Sequence, residues 1–241
     1  ASPPSMSKKI LMVVSNPATS TTVGGPVGFW ASELIHPYDA FTRRGYDVTI
    51  ASPEGGPVAL DAMSDPRDPS GYSADDTLSK DYLDRPDFAA RLDDTAALDD
   101  VDLDAFDAVV VCGGQAPMFT FDEATNVHDA LRRFYDAGKP TAALCHGVSA
   151  LLYVEDADGA PFLRGKTVTG FSNAEEDQAD AMVGQTVMPF RIEDEAKAQG
   201  AQFIAAEPWT AFATRDGHLI TGQQQHSGAE TARLVIEALE A

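Results

Sequence analysis

The chain has 241 residues, 44% of them hydrophobic, enough for a sizeable core in one α/β domain with an inserted lobe. Its 38 acidic residues against 17 lysines and arginines give a formal net charge of −21, which argues against nucleic acid or anionic membranes as partners. No apolar run approaches the ~18 residues of a membrane-spanning helix, and the opening "ASPPSMSKK" lacks the apolar stretch of a secretory signal.

Residues 1–7 read as a flexible tail or a remnant before Met6, and residues 8–241 as one domain. Cytoplasmic location is the default expectation. Residues 9–15, "KILMVVS", are an apolar, β-branched run that suits a buried parallel strand. A Thr/Gly/Pro loop follows, and then Phe29, Trp30, Leu34, Tyr38 and Phe41 recur at helical spacing until Gly45. Residues 46–51 form the next strand. Residues 52–71 are rich in Pro, Gly and Asp, and 75–99 look helical but weakly apolar, so 52–100 is expected to be a lid or insertion.

Residues 108–112, "AVVVC", make a short strand that ends in Gly113-Gly114. An amphipathic helix is predicted over 123–137 and is stopped by Gly138. Residues 141–144 are a strand, 149–154 a helix, and "KTVTGFSNAEE" a strand followed by an Asn173-capped helix. A helix over 190–198 comes next. Late strands fall at 203–205, 212–214 and 218–221, the last two joined by the turn Asp216-Gly217. Residues 226–239 close the chain as a helix. This alternation predicts a doubly wound, mostly parallel sheet with helices on both faces. Ligands in such sheets bind beyond the carboxyl ends of the strands. Gly113-Gly114 and Cys145-His146 both lie at such ends. No G-x-G-x-x-G follows a strand, and no metal-ligand spacing such as H-x-x-x-H or C-x-x-C occurs. The chemistry is therefore expected to need neither cofactor nor metal.

The stretch "TAALCHGVSALL" at 141–152 carries the sharpest signal. A strand running into a helix through a tight turn is a nucleophile elbow, and Gly147, two residues after Cys145, permits its close packing. Such a turn exposes the thiol at the top of the sheet, near backbone N–H groups able to hold an oxyanion. The other cysteine, Cys112, reads as a small buried apolar residue. A second signal is Glu33, set in an otherwise apolar helical face beside Phe29, Trp30 and Leu34. A carboxyl group among aromatics has a raised pKa and is able to move protons beside a thiolate. His36, His128 and His218 read as structural or surface residues, and His226 as a surface group at a helix start.

These segments resemble the DJ-1/PfpI superfamily and, within it, the Hsp31-like branch, which has the class I glutamine amidotransferase-like fold. The matching stretches run from "KKILMVVSN" through "GGPVGFWASELIHPYDAFTRRGYDVTIASPEGG", "VVVCGG", "AGKPTAALCHGVSALL" and "GKTVTGFSNAEE" to "DGHLITGQ". The resemblance implies a flavodoxin-like α/β/α sandwich and a homodimer. It implies Cys145 as nucleophile, Glu33 as the carboxylic acid on its sulfur, and His146 as the imidazole. The partner of His146 then lies in "NAEE", with Glu176 placed ahead of Glu175. Gly113, Gly114 and Gln115 are implied as oxyanion or substrate-binding positions, the N–H groups of Gly114 and His146 forming the oxyanion hole. Gln115-Ala116-Pro117, Val148 and the "GQQQHSG" segment depart from the family pattern and are expected to border the pocket.

The function implied is a cofactor-independent glyoxalase that converts methylglyoxal to lactate through a Cys145 hemithioacetal. Two alternatives stand beside it. One is a cysteine hydrolase or hydratase of another small electrophile, such as an amide, peptide or isocyanide. The other is a non-enzymatic stress chaperone or redox sensor.

Overall fold

The computed structural model describes residues 7–241. The expected tail at 1–7 thus lies outside the described residues except for Ser7. In chain order the elements begin with β1 (Lys9–Val13), β2 (Ala18–Thr19), β3 (Pro26–Val27), α1 (Ala31–Arg43) and β4 (Asp47–Ser52). They continue with α2 (Thr77–Leu83), α3 (Pro86–Asp93), β5 (Ala96–Ala97), β6 (Ala108–Val111), α4 (Pro117–Thr120) and α5 (Thr125–Asp136). Then come β7 (Thr141–Leu144), a 3-10 helix (Cys145–Tyr153), β8 (Thr167–Val168), α6 (Asn173–Val183) and α7 (Ile192–Ala198). β9 (Gln202–Phe203), β10 (Ala213–Asp216), β11 (Leu219–Gly222) and α8 (Gly228–Glu240) complete the chain.

Seven strands form one sheet in the order β10-β11-β7-β6-β1-β4-β5, parallel except for the β10–β11 hairpin. This is the flavodoxin-like α/β sandwich. Both faces of the sheet are buried, so its strands read as continuous apolar runs rather than as alternation. Alternation survives in which face each residue serves. Leu11 and Val13 of β1 join Val109 and Val111 of β6 in one core, beneath α5, α7 and the 3-10 helix. Ile10 and Met12 join Ala108, Val110 and Leu144 in the other, beneath α1 and α8. The chain leaves β1 toward β4 on one side, whereas β6 and β7 lie on the other. The sheet therefore switches direction between β1 and β6, and the crevice beyond those strand ends is where such sheets bind ligands.

The structure differs from the sequence expectation at three places. Residues 75–99 are two short helices and a strand, because Pro86 takes the first-turn position of a new helix and ends the earlier one. The helix after Cys145 is a nine-residue 3-10 helix rather than an α-helix. β8 and β9, read as strands of the fold, pair only with each other, outside the main sheet.

Candidate active site

β7 ends at Leu144 in an extended conformation, and Cys145 then takes φ 57°, a left-handed conformation unfavourable for a side chain larger than glycine's. Gly147 allows this turn to close. A Cβ at that position would lie 2.6 Å from the Cys112 carbonyl oxygen and 2.7 Å from that of Val111, so only glycine lets the elbow sit on the end of β6. Among the described residues, the non-glycine positions with positive φ are Cys145 and Trp209, and both line the same cavity. Strain of this kind persists where the surrounding structure over-determines it, as around a binding site.

Glu33 enters from the first turn of α1 and is fully buried. Its Oε1 accepts a hydrogen bond from the Gly113 N–H at 2.8 Å. Its Oε2 is buried without a hydrogen-bond partner among the described residues, and the Cys145 side chain is one of the groups that act on the carboxyl. Burial pushes the Glu33 carboxyl up to about 8, against the lowering effect of its bonds to Cys145 and Gly113. Glu33 is therefore protonated at neutral pH. Burial also pushes the Cys145 thiol up, and a charged Glu33 would push it further. Two like charges that act on each other in a buried corner do not coexist, so the pair holds at most one.

His146 also approaches the sulfur. Its Nδ1 is 3.8 Å from Cys145 Sγ, and its Nε2 is 3.0 Å from Glu176 Oε2. The ring stacks on Phe171 at a centroid distance of 4.2 Å. Both partners of the His146–Glu176 pair are buried. With Glu176 fixing the Nε2 proton, Nδ1 is the nitrogen left to accept a proton from the thiol. Glu175 does different work. It closes a capping box with Ser172, which is the N-cap in place of the expected Asn173. It also accepts the Trp209 N–H at 2.8 Å and a Gln223 side-chain N–H at 3.0 Å.

Gly114 and Gln115 line the cavity with Cys145 and His146. Gly113 does not, since its N–H is spent on Glu33. The Gly114 φ of 108° and an antiparallel bridge to Phe29 fix that loop, where a Cβ would stand 2.6 Å from Phe29 Cα. Of the departures from the family pattern, Gln115 and Gln225 of the "GQQQHSG" segment border the cavity. Val148 instead packs in the core against Gly170. His36 is held by Asp76 at 2.7 Å, and His226 is exposed. Among the described residues, no three or more His, Cys, Asp or Glu side chains are grouped to hold a metal ion.

Two residues were not singled out from sequence. Asp61 is buried, and its two carboxylate oxygens accept the N–H groups of Gly28 at 2.8 Å and Gln115 at 2.6 Å. It thus ties the strand before α1 to the Gly114–Gln115 loop. Burial pushes it up to about 6. Its one sequence signal is a lone carboxylate in "VALDAM". The other is Trp209, whose signal is its backbone strain and which no sequence pattern marks. The cavity above Cys145 has a volume of about 110 Å³. Its walls come from the 52–100 segment, through Met63 and Tyr72, from α6, and from Trp209.

The model of the DJ-1/PfpI family matches residues 26–238. The chain is 29% identical over 240 residues to "Glyoxalase 3" of Candida albicans, covering 98% of this chain and 99% of that protein. It is 28% identical over 230 residues to a glutathione-independent glyoxalase of Saccharomyces cerevisiae, covering 90% and 91%. The crystal structure of Candida albicans glyoxalase III superposes with a TM-score of 0.80 at 28% identity, over 97% of each chain. The 24 kDa rapid encystment protein of Francisella tularensis superposes at 0.86 and 29% identity, over 96% of this chain and 99% of that one.

Proposed function

The chain belongs to the DJ-1/PfpI family, and we propose that it is a glutathione-independent glyoxalase converting methylglyoxal and water to lactate without a cofactor. One observation carries the reading. A protonated buried carboxyl and an imidazole–carboxylate pair flank a single sulfur held on a strained turn. The glyoxalase relatives that match over nine-tenths or more of this chain support the same choice.

In this reading His146 Nδ1 takes the thiol proton, and Glu176 stabilises the imidazolium. The thiolate adds to the aldehyde carbon C1, and the N–H groups of Gly114 and His146 bind the oxyanion. His146 returns its proton to that oxygen, giving the hemithioacetal. His146 then removes hydrogen from C1 as a proton while Glu33 protonates the C2 oxygen, forming an enediol. His146 delivers its proton to C2, and Glu33 recovers one from the C1 oxygen. The product is a thioester, with C1 oxidised and C2 reduced. Water hydrolyses it, releasing lactate and the free thiol. No external oxidant or reductant is required.

The segment 52–100 is read as the lid of this site, since it brings Asp61, Met63 and Tyr72 to it. A homodimer is part of the same proposal, and sedimentation of the purified protein tests it. The test of function is methylglyoxal consumption in glutathione-free buffer. Cys145→Ser is expected to lower the rate about 10³-fold or more with the fold intact by circular dichroism. Comparable rates in both proteins would overturn the proposal.

A further inference from the structure

Among the described residues, the large hydrophobic side chains that stand exposed are Met63, Tyr72, Met182 and Val183, at 37–61% exposure. On a chain of net charge −21 they are not scattered. All four line the mouth of the Cys145 cavity. Deeper in, Phe171, Val187, Met188 and Trp209 continue the same apolar surface. Polar side chains are a minority of its lining: His146 is paired with Glu176, Gln225 donates to the Tyr72 hydroxyl at 3.3 Å, and Gln115 is the other amide on the wall. Such a cavity offers little to the hydroxyls or ammonium of a polar substrate, and a methyl group alone leaves most of its walls untouched.

Trp209 is the most deliberate part of this wall. Its φ of 66° is costly for an aromatic residue. Buried Glu175 holds its backbone N–H, and Gln178 Oε1 accepts the indole N–H at 2.6 Å. The indole stands edge-on to Phe171 at 5.7 Å, and Phe171 stacks on His146. The residue is therefore held at three points, two of them on the ring, and the aromatic chain runs from it to the imidazole beside the sulfur.

Resting on the glyoxalase reading, we propose that this site is built for 2-oxoaldehydes whose second substituent is apolar and larger than methyl, with Trp209 as the specificity-determining wall. The chemistry is unchanged and stays balanced. The aldehyde carbon becomes the carboxylate, the keto carbon becomes the alcohol, the hydrogen moves from C1 to C2 as a proton, and one water is taken up. With 4-methyl-2-oxopentanal the product is 2-hydroxy-4-methylpentanoate. Its dicarbonyl is electronically close to that of methylglyoxal, so the comparison isolates three added carbons. Burial of each is worth at most about fourfold in kcat/KM, and a net preference of about tenfold is expected.

The test measures kcat/KM for both aldehydes with wild type, Trp209→Gly and Met182→Gln. Glycine removes the indole where the backbone already favours it, so Trp209→Gly is expected to keep the melting temperature of wild type. The preference for the larger aldehyde should fall about tenfold in Trp209→Gly, with KM rising, and by a smaller factor in Met182→Gln. Turnover of methylglyoxal with no gain for the larger aldehyde would overturn this proposal alone, as would an unchanged ratio in Trp209→Gly. Turnover of neither by folded wild type would overturn the glyoxalase reading and this proposal with it.

Discussion

Glu33 is where burial, geometry and chemistry meet most closely. Its carboxyl is pushed up to about 8 because it has left water, with only the Gly113 N–H and the Cys145 sulfur in exchange. As an acid it must carry its proton, so kcat/KM should fall as pH rises through about 8. In Glu33→Gln that limb should vanish, on a rate lower by about 10²–10⁴; a pH–rate profile of both proteins checks it. The same shift has a consequence for stability. Unfolded, Glu33 ionises near 4.5, whereas folded it holds its proton to about 8. The folded state thus binds more protons over that window, and stability falls as pH rises through it. The benefit is fully present below about 4.5 and lost above about 8, a span on the order of 5 kcal/mol. Glu33→Gln removes this dependence. Its stability relative to wild type, from urea titrations, should rise between pH 4.5 and 8 and level off above. A parallel pH dependence in the two proteins would contradict a neutral buried Glu33.

Two elements fix the positions of these groups, and they differ in how much of them the sequence displayed. The elbow was legible because each part is a local signal: the apolar run 141–144, the adjacent Cys145 and His146, and Gly147 at the offset that close packing demands. Gly147→Ala forces a Cβ to within 3 Å of the Cys112 and Val111 carbonyl oxygens. It is expected to destabilise the fold by about 1–3 kcal/mol and to lower activity together, as read by thermal melting and turnover. The start of α6 was only half legible. "SNAEE" announces a cap, but two adjacent glutamates give no local reason for one to face His146 and the other to turn inward. Tertiary contacts divide them: Ser172, Gln223 and the Trp209 N–H claim Glu175, and the imidazole claims Glu176. Ser172→Ala removes the cap and is expected to cost about 1 kcal/mol by chemical denaturation. Asp61 showed only as a lone carboxylate in an apolar run, and Trp209 was not legible at all. Both act through partners distant in sequence, backbone N–H groups for Asp61 and side chains for Trp209, which no periodicity reports.

Across the whole molecule, the sheet order was readable as a class, from strands alternating with helices, whereas the separate β8–β9 pair was not. Nothing in these two-residue strands reports which partner they take, since β5, equally short, joins the main sheet. The charge has a global effect of its own. With a formal −21, most carboxylates have no basic partner, and the chain repels itself at low ionic strength. Monovalent salt screens this over a distance of about 10 Å at 0.1 M and about 3 Å at 1 M. The melting temperature should therefore rise between 0.05 and 1 M sodium chloride, although the surface ion pairs weaken over the same range. A fall would mean that the ion pairs outweigh the net repulsion. Catalysis by the Cys145 thiolate is tested most directly by one assay: lactate formed per methylglyoxal consumed, in purified protein freed of all small thiols. One lactate is expected for each methylglyoxal in wild type, and none above background in Cys145→Ser. Methylglyoxal lost without lactate, or lactate formed equally by the serine variant, would contradict it.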